Sequence, residues 1–479
     1  MAHLRAPHGA GGLSAPEAVG VAGGGGCGDD VRIELEVDGF NVVAAGFRAK
    51  GCPALTAAAS AACQAIEGKP LEAAMRLSAA EVDALLGGVG GQRLHGVALA
   101  VEALAGALEQ WVSARLGSAK RAPVPGRIAV AMSGGVDSAV AAMLLADSGH
   151  DVVGVTMRLW HDPGAAAAER SCCAPETVRL ARASAHAIGI PHVTLDVAER
   201  FRAGVVEDFI AGYVDGRTPN PCVTCNGQVR FRILADAADL LGADGLASGH
   251  YARVIGEGKS RAVARAADRS KDQSYMLAGV PPALLSRMEF PLGGLQKEEV
   301  RLIARSSELP AADAVESQEI CFVGEDGYAE FLERHAGLDE RPGRIVDRSG
   351  HQLGMHRGYW RYTVGQRRGI GVPGPEPRYV LETDSSSNTV VVGGREDLGV
   401  SRIEVRDAVV RGDIAGAGLA VRIRHHGEPV VVSDVREHGE DRLVITLETP
   451  VVGVAPGQTA AVYRDDHIVA AGTIAGSSS

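Results

Sequence analysis

The order of apolar and polar positions changes its period several times along the chain. Residues 31 to 50, VRIELEVDGFNVVAAGFRAK, alternate apolar and polar positions around an Asp-Gly pair, which predicts a β-hairpin. Ala-rich stretches with helical spacing follow from Ala54 to Leu116. Together these patterns predict a small α+β unit at the start of the chain.

A second pattern begins after residue 126, where short β-rich runs alternate with helical stretches. The runs are RIAVAM, DVVGVTM, HVTLDV and GLASGH. Their rhythm predicts a doubly wound α/β domain, in which crossover helices join the strands of a parallel sheet. From residue 375 onward the helical spacing disappears, and a terminal β-barrel is predicted by YVLETD, NTVVVGG, LAVRIRHH, EPVVVSDV, DRLVITLE and TAAVYRD.

Changes in composition between these patterns predict the domain boundaries. The Gly- and Ala-rich start is typical of a flexible leader, and SAKRAPVPG, with two prolines and two basic residues, is typical of a linker. The predicted segments are the leader (1–25), an N-terminal α+β domain (26–117), the linker (118–126), the α/β domain (127–310), a small central domain (311–374) and the barrel (375–479).

Composition narrows the class of protein. Of 479 residues, 46% are hydrophobic and 22% are charged, and no apolar run was found of the roughly 20 residues needed to cross a bilayer, so no membrane association is expected. Eight cysteines without a secretory signal favour a cytosolic chain with reduced, metal-binding or catalytic thiols. The net charge of -11 disfavours general nucleic-acid binding but allows a local basic surface.

One short motif predicts a phosphate site. SGGVDS, residues 133–138, lies between an apolar strand and an Ala/Leu-rich helix. Glycines in such a turn let backbone N–H groups converge on an anion, and the helix N-terminus adds favourable partial charge. The motif lacks the lysine of a Walker loop and the GxGxxG of a dinucleotide fold. An ordinary Gly-rich turn is the alternative.

The motif resembles the loop of the ATP pyrophosphatases, which include GMP synthetase, argininosuccinate synthetase and tRNA thiolation enzymes. The resemblance implies that a carbonyl oxygen is adenylated and that pyrophosphate is released. It also implies that Asp137 helps to hold Mg²⁺ while Ser133, Gly135 and Ser138 surround the pyrophosphate.

Further motifs resemble the MnmA family of tRNA-specific 2-thiouridylases. TPNPCVTCNGQVRF, LASGHYAR, KDQSYML, ESQEICFVGE, RYTVGQRRGIG and VAPGQTAAVY follow in this order within residues 127–473. The resemblance implies ATP-dependent adenylation of the 2-carbonyl of the wobble uridine, position 34 of tRNA, followed by replacement of that oxygen with sulfur. It implies tRNA as substrate, ATP and Mg²⁺ as cofactors, and a cysteine desulfurase or sulfur-relay protein as sulfur donor.

The resemblance also assigns two essential cysteines by motif position, Cys225 and Cys321. Cys321 is expected to carry a persulfide, whose soft sulfur attacks the activated carbon. Cys225 is expected to release that sulfur by forming a disulfide. The plain alternative is a pair of buried structural thiols.

At Cys222 the chain departs from the better-known branch of the family, which has an aspartate there. Cys222, Cys225 and Cys321 give three thiolates, a set that fits a 4Fe-4S cluster with one open iron. We favour this cluster hypothesis over a persulfide pair with Cys222 as a bystander. Zinc lacks a fourth ligand, and the motif lacks the strand context of a thioredoxin-type redox pair.

Nucleotide and tRNA contacts are assigned by the same resemblance. The expected nucleotide contacts are Ala131, Met132, Ser133, Gly134, Gly135, Val136, Asp137, Ser138, Met157 and Gly249. The expected tRNA contacts are His250, Lys271, Asp272, Gln273, Arg424, His425 and Gln458. Arg361, Arg367 and Arg368 add basic charge among aromatic residues, which suits phosphates and an extruded base, although a solvated surface is the alternative.

The N-terminal domain resembles the NifU- or IscU-type iron-sulfur scaffold over residues 26–112. Cys27 and Cys52 match two scaffold ligands and Asp29 matches the acidic residue beside the first, so these three form a candidate metal site. The third ligand cysteine is missing, because His95 is followed by Gly96. Sulfur supply within one molecule and a docking role both remain open.

The sequence therefore predicts an ATP-dependent tRNA 2-thiouridylase with a scaffold-like N-terminal domain. Two alternatives remain. An iron-sulfur assembly or carrier protein with a regulatory ATP domain would hand over clusters without tRNA-dependent AMP formation. An enzyme that thiolates another tRNA base would be distinguished by the modified nucleoside.

Overall fold

The computed structural model describes residues 2–24, 28–162, 174–314, 320–324, 327–374 and 376–479. Its α-helices, in chain order, are α1 Ala2–Arg5, α2 Pro53–Ile66, α3 Leu71–Arg76, α4 Ala79–Leu85, α5 Leu94–Arg115, α6 Val136–Asp147, α7 Pro175–Ile188, α8 Ala198–Phe201, α9 Glu207–Val214, α10 Pro221–Thr224, α11 Phe231–Leu241, α12 Pro282–Leu285, α13 Lys297–Ser306 and α14 Tyr328–Ala336. π-Helical turns at Arg202–Val206 and Cys225–Arg230 join α8 to α9 and α10 to α11.

The strands form four sheets in the described part of the chain. They are β1 Ala18–Gly23, β2 Asp30–Asp38, β3 Asn41–Lys50, β4 Val124–Ala131, β5 Asp151–Arg158, β6 His192–Asp196, β7 Ala243–Ser248, β8 Ala252–Ile255, β9 Ala262–Arg265, β10 Met288–Glu289, β11 Gly343–Val346, β12 Gln352–His356, β13 Tyr379–Asp384, β14 Thr389–Gly393, β15 Val400–Val410, β16 Leu419–Arg422, β17 Val430–Glu437, β18 Leu443–Val451, β19 Thr459–Arg464 and β20 His467–Ser478.

The N-terminal sheet confirms the predicted hairpin. Strands β2 and β3 pair in antiparallel fashion, and Gly39 makes the turn between them with φ of +60°. Val31, Ile33 and Leu35 alternate along β2 and are buried, as a strand with one face on a core requires. Helices α2 and α5 pack against this sheet.

The predicted flexible leader is wrong, because residues 2–24 contain α1 and β1, and β1 pairs with β2. A methyl group added at Gly20 would lie 1.9 Å from the carbonyl oxygen of Ala103 and 2.3 Å from the nitrogen of Ala107. Glycine is therefore needed where the strand crosses α5. The small residues that suggested flexibility instead allow close packing.

The second sheet confirms the doubly wound α/β fold. Its order is β10-β7-β4-β5-β6, and every pairing in it is parallel. Ile128 and Val130 of β4 pack with α6 and α7, whereas Ala129 between them belongs to the core on the opposite face. Helices α11 and α5 contribute to that opposite core, so a helix of the N-terminal domain helps to cover the sheet.

Helix α5 is long and apolar enough to cross a membrane by length and composition alone, which the sequence reading had not recognised. In this structure it lies between the N-terminal sheet and β6. Ala100, Ala103 and Ala107 on it are fully buried. Its apolar character is explained by packing on two sides.

Part of the predicted linker is strand. Strand β4 begins at Val124, whose nitrogen donates to the carbonyl of Gly242 at 2.8 Å. Arg121 in turn donates its backbone N–H to the carbonyl of Asp239 at 2.9 Å. The prolines at 123 and 125 flank the first residue of β4, which pairs only with β7 at this end of the strand, so this segment is not a flexible linker.

The C-terminal strands form two sheets, so the predicted start of the barrel at residue 375 is wrong. Strands β13 and β14 join β11 and β12 in a four-stranded sheet of order β12-β11-β14-β13. The barrel contains β15-β18-β17-β16-β19-β20 and is closed by pairing of β15 with β20. Alternation identifies a strand but does not tell which sheet it joins.

Candidate active site

The phosphate loop is held by its own side chains. The Ser138 hydroxyl accepts the backbone N–H of Ser133 at 3.1 Å and donates to the carbonyl of Gly135 at 2.9 Å. Gly134 has φ of +80°, and a methyl group there would lie 2.4 Å from the carbonyl oxygen of Thr177. The loop therefore needs glycine at this position, and it leads directly into the N-terminus of α6.

The ends of neighbouring strands close around this loop. A methyl group on Gly249, just past β7, would lie 2.7 Å from the backbone nitrogen of Ser138. The Thr156 hydroxyl of β5 donates to the carbonyl of Met132 at 2.8 Å, and Met157 follows it. Because the carboxyl ends of parallel strands share one edge, the expected nucleotide contacts lie together there.

Asp137 binds two side chains that sequence reasoning missed. The Lys297 ammonium donates to both carboxylate oxygens at 2.8 Å, and the Tyr251 hydroxyl donates to Oδ1 at 2.8 Å. The ammonium also lies 5.6 Å from the centre of the Tyr251 ring. Lys297 follows Asp137 by 160 positions, so no local pattern predicts their contact.

The cysteine pair lies on a helix with an irregular turn. Asn220 caps α10, its side chain accepting the N–H of Val223 at 3.3 Å, and the π-helical turn begins at Cys225. Such turns are frequent at functional sites. Cys225 is buried, Cys222 is half-buried, and both are thiols. Burial, together with the neighbouring Cys225, raises the pKa of Cys222 above its usual value.

The segment before Cys222 is held from two sides. From the barrel, Gln458 donates its side-chain N–H to the carbonyl of Thr218 at 2.9 Å, and the carbonyl of Pro456 accepts the N–H of Thr218 at 2.8 Å. From the central sheet, the Thr383 hydroxyl donates to the carbonyl of Gly216 at 2.8 Å. Two distant parts of the chain thus fix the approach to the cysteine helix.

The three candidate cluster ligands are not gathered into a metal site. Across the described residues, which include Cys222, Cys225 and Cys321, no group of three or more His, Cys, Asp or Glu side chains could hold a metal ion. Cys321 is a half-buried thiol next to Phe322, which packs in the aromatic core with Phe209. This arrangement does not fit a cluster bound by all three thiolates, because such ligands must converge on one centre.

The N-terminal metal site is described only in part. Cys27 lies outside the described residues, as do Cys172 and Cys173. Asp29 is buried and accepts the backbone N–H of Cys52 at 2.9 Å. At the position of the missing ligand, a methyl group on Gly96 would lie 2.8 Å from the nitrogen of Leu55, so the backbone of α2 already fills that space.

Asp272 does not offer its carboxylate to a tRNA, contrary to the expectation. Its side chain is 1% exposed, and it accepts the N–H of Ala266 at 3.1 Å, the hydroxyl of Ser274 at 3.0 Å and the guanidinium of Arg422 at 3.0 Å. Arg422, which sequence reasoning also missed, reaches it from barrel strand β16. The pair joins the KDQSY loop to the barrel.

His250 is placed beside the phosphate loop. Its ring Nδ1 is 2.9 Å from the Ser248 hydroxyl, and Phe231 and Phe290 lie around it. Burial, assisted by the nearby charge of Arg230, lowers the pKa of His250 to about 3. The imidazole is therefore neutral at physiological pH and can accept or donate a hydrogen bond.

Gln273 is next to that histidine and is already hydrogen-bonded. Its side-chain oxygen accepts the backbone N–H of Tyr251 at 2.9 Å, and its backbone N–H donates to the carbonyl of Tyr251 at 2.8 Å. Lys271 is half-buried in the same loop. The KDQSY loop thus packs against the residues that follow β7.

The barrel carries two of the predicted tRNA contacts, Arg424 and His425. Arg424 is exposed, and His425 is half-buried with its ring 6.2 Å from Tyr275 and 4.2 Å from His426. Burial, with His426 and Arg422, lowers the pKa of His425 to about 4. Both side chains remain predicted tRNA contacts.

Basic residues of the central domain separate into two kinds. Arg361 is paired with Glu333 within the domain. Arg367 and Arg368 are exposed, and Arg367 lines a pocket of about 400 Å³ opposite Arg378. The pocket is otherwise formed by Gly369, Ile370, Gly371, Val372 and Pro373. Arg367 and Arg378 therefore place two cationic side chains around this pocket.

The N-terminal domain is attached to the α/β domain by several charged contacts. Arg158 of β5, next to Met157, lies 2.6 Å from Glu109 of α5. The Ser113 hydroxyl accepts the backbone N–H of Asp196 at 3.0 Å. Glu72 accepts from Arg127 at 3.1 Å and from Arg121. The scaffold-like domain is therefore packed against the parallel sheet of the α/β domain.

Four parts of the chain match described protein families. Residues 1–116 match the NifU-like N terminal domain, and residues 126–325 match the tRNA methyl transferase HUP domain. Residues 329–394 match the tRNA methyl transferase PRC-barrel domain, and residues 414–474 match the aminomethyltransferase beta-barrel domain. The first match includes β1 and the third ends after β14, as the corrected boundaries require.

Named relatives cover most of the chain. A bifunctional protein NifU/MnmA of Rubrobacter xylanophilus is 45% identical over 486 residues, covering 99% of this chain and 97% of that protein. The tRNA-specific 2-thiouridylases MnmA of Chloroflexus aurantiacus and Sorangium cellulosum are 44% identical; each covers 73% of this chain, with 98% and 92% of their own lengths matched.

Fold and site together define an α/β enzyme with a phosphate loop and a thiol-bearing helix. The chain belongs to the MnmA family of tRNA-specific 2-thiouridylases and carries a NifU-like domain before it.

Proposed function

We propose that this chain is an ATP-dependent sulfurtransferase that replaces the 2-oxygen of the wobble uridine, position 34 of tRNA, with sulfur. The observation that carries the proposal is the combination, within one family member, of a phosphate loop containing Asp137 and a helix bearing Cys225 at the same α/β domain. Some matching families are described by methyl transfer, but thiols and a phosphate loop suit thiolation.

In the first step the loop and the N-terminus of α6 orient the phosphates of ATP. The 2-carbonyl oxygen of uracil bonds to the α-phosphorus, and the bond from that phosphorus to the bridging oxygen breaks. Pyrophosphate leaves with the electron pair. The oxygen that was a poor leaving group becomes part of AMP.

Magnesium fits the residues at the loop. Asp137 presents a carboxylate that is 30% exposed, and a hard divalent cation prefers such oxygen ligands. When bound, the ion would neutralise charge on the phosphates. The chain's own contribution is to place the carboxylate at the start of α6, where the loop hydrogen bonds fix it.

In the second step sulfur replaces AMP. A sulfur donor, proposed to be a cysteine desulfurase or a sulfur-relay protein, leaves a persulfide on Cys321. The outer sulfur bonds to carbon 2, and AMP departs with the carbon–oxygen bonding pair. The Cys225 thiolate then attacks the sulfur of Cys321, which forms a disulfide and releases the second sulfur as the thiocarbonyl. An external reductant, a thiol, restores both cysteines.

The thiol pair replaces the cluster as the proposed route, because Cys222, Cys225 and Cys321 are not gathered into a metal site. Cys222 then has no covalent role, in keeping with its raised pKa. A protonated thiol is a poor nucleophile.

Recognition of tRNA is proposed to use residues beside the phosphate loop and residues on the barrel. His250, Lys271 and Gln273 lie beside the loop, and Arg424 and His425 lie on the barrel. Gln458 is proposed as a further contact, although it also holds Thr218. The cytosol is the proposed location.

The experiment that tests this function is nucleoside mass spectrometry. The full chain is incubated with unmodified tRNA, ATP, Mg²⁺, a cysteine desulfurase with cysteine as the persulfide donor, and a thiol reductant, and 2-thiouridine is expected at position 34 together with AMP. Sulfur at another base would support the alternative tRNA enzyme. Cluster transfer to an acceptor protein without AMP formation would support the carrier hypothesis.

A further inference from the structure

A buried carboxylate outside the phosphate loop joins the α/β domain to the central domain. Asp162 lies shortly after the end of β5, and its side chain is 1% exposed. The Arg334 guanidinium donates from Nη2 and Nε to Oδ2 at 2.6 and 3.0 Å, and Nε2 of His335 lies 2.9 Å from Oδ1. These three residues form the Asp162 cluster.

The Asp162 cluster holds a helix of the central domain. Arg334 and His335 lie in the last turn of α14. The Trp160 indole packs edge-to-face against the same helix, and its ring centre is 6.2 Å from that of Phe331 and 5.2 Å from that of His335. Polar and aromatic contacts therefore fix α14 in relation to the segment that follows β5.

Helix α14 in turn anchors the residue next to Cys321. Phe322 is 3% exposed, and its ring centre lies 5.5 Å from that of Phe331. Phe201 and Phe209 of the α/β domain lie 5.8 and 5.3 Å from the Phe322 ring. Cys321 itself is half-buried. A shift of α14 would therefore move the Phe322 ring and, through the backbone, the Cys321 thiol.

The segment that carries Asp162 also belongs to the strand beside the phosphate loop. The carbonyl of Val155 in β5 accepts the backbone N–H of Met132 at 2.9 Å, and Met132 immediately precedes Ser133 of the loop. The Asp162 cluster thus connects the strand next to the loop with the helix that anchors the neighbour of Cys321.

The chemistry of the Asp162 cluster favours a role in geometry. A buried ion pair adds little net stability over apolar packing, because its charges must be removed from water. Its hydrogen bonds are directional, however, and those to a charged group are strong. Here both carboxylate oxygens of Asp162 are contacted by side chains of α14, which permits few orientations of that helix.

We propose that Asp162 is a positioning residue for sulfur transfer, because the Asp162 cluster sets the place of α14 and thereby the place of the Cys321 thiol. This inference rests on the proposed function, since it concerns how Cys321 delivers its sulfur to the activated carbon. Activation at Asp137 does not need the contact, so the two half-reactions should respond differently. Misplacement of a reacting group by about 1 Å can cost about 100-fold in rate.

The test compares two rates in the full chain, tRNA-dependent pyrophosphate release and single-turnover formation of 2-thiouridine after a cysteine desulfurase with cysteine has loaded Cys321. Asp162→Asn is expected to lower sulfur transfer about tenfold, because the charge that holds Arg334 is lost, and to leave pyrophosphate release within about twofold. Asp162→Glu keeps the charge and is expected to recover part of the loss. Glu340→Gln is the matched control, because it breaks an exposed ion pair with Arg357 in the same domain and should change neither rate.

A milder variant guards against a failure to fold. His335→Gln leaves the Arg334 contact in place and is expected to lower sulfur transfer about threefold, again with normal pyrophosphate release. Equal loss of both rates, or loss of neither, would overturn the inference and leave Asp162 as a support for the fold.

Alkylation of Cys321 gives a readout that needs neither ATP nor tRNA. With α14 released in Asp162→Asn, the half-buried thiol should react with iodoacetamide about threefold faster or more, because its anchored neighbour opens more often. The buried thiol of Cys63 in α2 should stay unreactive. Peptide mass spectrometry locates the label, and an unchanged rate at Cys321 would also refute the inference.

These measurements separate the inference from the proposed function. If the unchanged chain places no sulfur in tRNA, the function is refuted, and alkylation still decides whether Asp162 positions Cys321. If the unchanged chain thiolates tRNA and Asp162→Asn does so at the same rate, the inference alone is refuted.

Discussion

The phosphate loop and the cysteine helix are neighbours that are built differently. The loop is closed by hydrogen bonds among Ser133, Gly135 and Ser138. All three residues lie within the six-residue motif 133–138. The segment that leads into Cys222 is held by Thr383 of the central sheet and Gln458 of the barrel, more than 160 positions away. The hydrogen bonds that close the loop lie within one motif, whereas those that hold the approach to the cysteine helix come from distant strands.

This difference teaches that the two half-reactions can fail separately. Damage to the loop removes activation of the carbonyl, while damage to the strands that hold the cysteine segment leaves activation intact and misplaces the sulfur. Because a small displacement of reacting groups costs much rate, the second kind of damage is visible in sulfur transfer alone.

The largest effect is expected at Asp137. Asp137→Asn should reduce tRNA-dependent pyrophosphate release by about 100-fold or more, because the cation ligand and the partner of Lys297 are lost together. Release is measured with a coupled phosphate assay. Asp147→Asn, at the exposed end of the same helix, is the control and should release pyrophosphate normally. Normal release by Asp137→Asn would contradict its assignment to the site.

Cys225→Ser should abolish sulfur transfer and spare activation. Thiolated nucleoside should fall below detection, since a hydroxyl cannot release the persulfide sulfur, while tRNA-dependent pyrophosphate release stays within about threefold. Cys63→Ala is a control for loss of a buried thiol elsewhere, in α2. A parallel loss of pyrophosphate release would show that the two sites are not separable.

Cys222→Ser should retain most sulfur transfer when a cysteine desulfurase with cysteine supplies the persulfide and a thiol reductant is present. The variant keeps both Cys225 and Cys321, and burial raises the pKa of the Cys222 thiol, which disfavours the thiolate that a covalent step would need. Thiolated nucleoside and the visible absorption of anaerobically purified chain are measured together. Loss of both broad thiolate-to-iron absorption and activity would restore the cluster hypothesis.

The smallest effect is expected from the hydrogen bond between Thr383 of the central sheet and Gly216, which precedes the cysteine helix. Thr383→Val removes the hydrogen bond to Gly216 and should lower sulfur transfer about fivefold, equivalent to about 1 kcal/mol, without changing pyrophosphate release. Ser386→Ala, in the adjoining exposed turn, should change neither rate. Equal loss of both rates in Thr383→Val would mean that the central sheet supports the whole domain and not the cysteine segment.

Local sequence patterns predicted the elements well. The hairpin of β2 and β3, the parallel sheet and the phosphate loop all follow from periodicity and turn residues, because these features depend on neighbouring positions. The start of the barrel was misplaced, because strand pattern carries no information on which sheet β13 and β14 join. Residues 1–25 were predicted to be a flexible leader because they are rich in Gly and Ala. In the structure Gly20 packs closely against α5, and composition alone gives no sign of that contact.

The missed site residues share one cause. Lys297 and Arg422 are ordinary charged residues in sequence, one at a helix start and the other at the end of a strand. Their importance comes from two carboxylates, the half-buried Asp137 and the buried Asp272, that the fold brings to them from far away. Long-range pairing of this kind is a property of the assembled fold.

The packing of α5 against β6 has an evolutionary consequence. The 2-thiouridylases of Chloroflexus and Sorangium align with only 73% of this chain, and the excess lies in the N-terminal domain. Once α5 became part of the covering of the sheet, deletion of the domain would bare an apolar face and favour aggregation. Selection can then retain the fused domain for its surface even after the position of its third ligand, now Gly96, has closed. The covering role of α5 is therefore a reason to keep the domain that does not depend on any metal site.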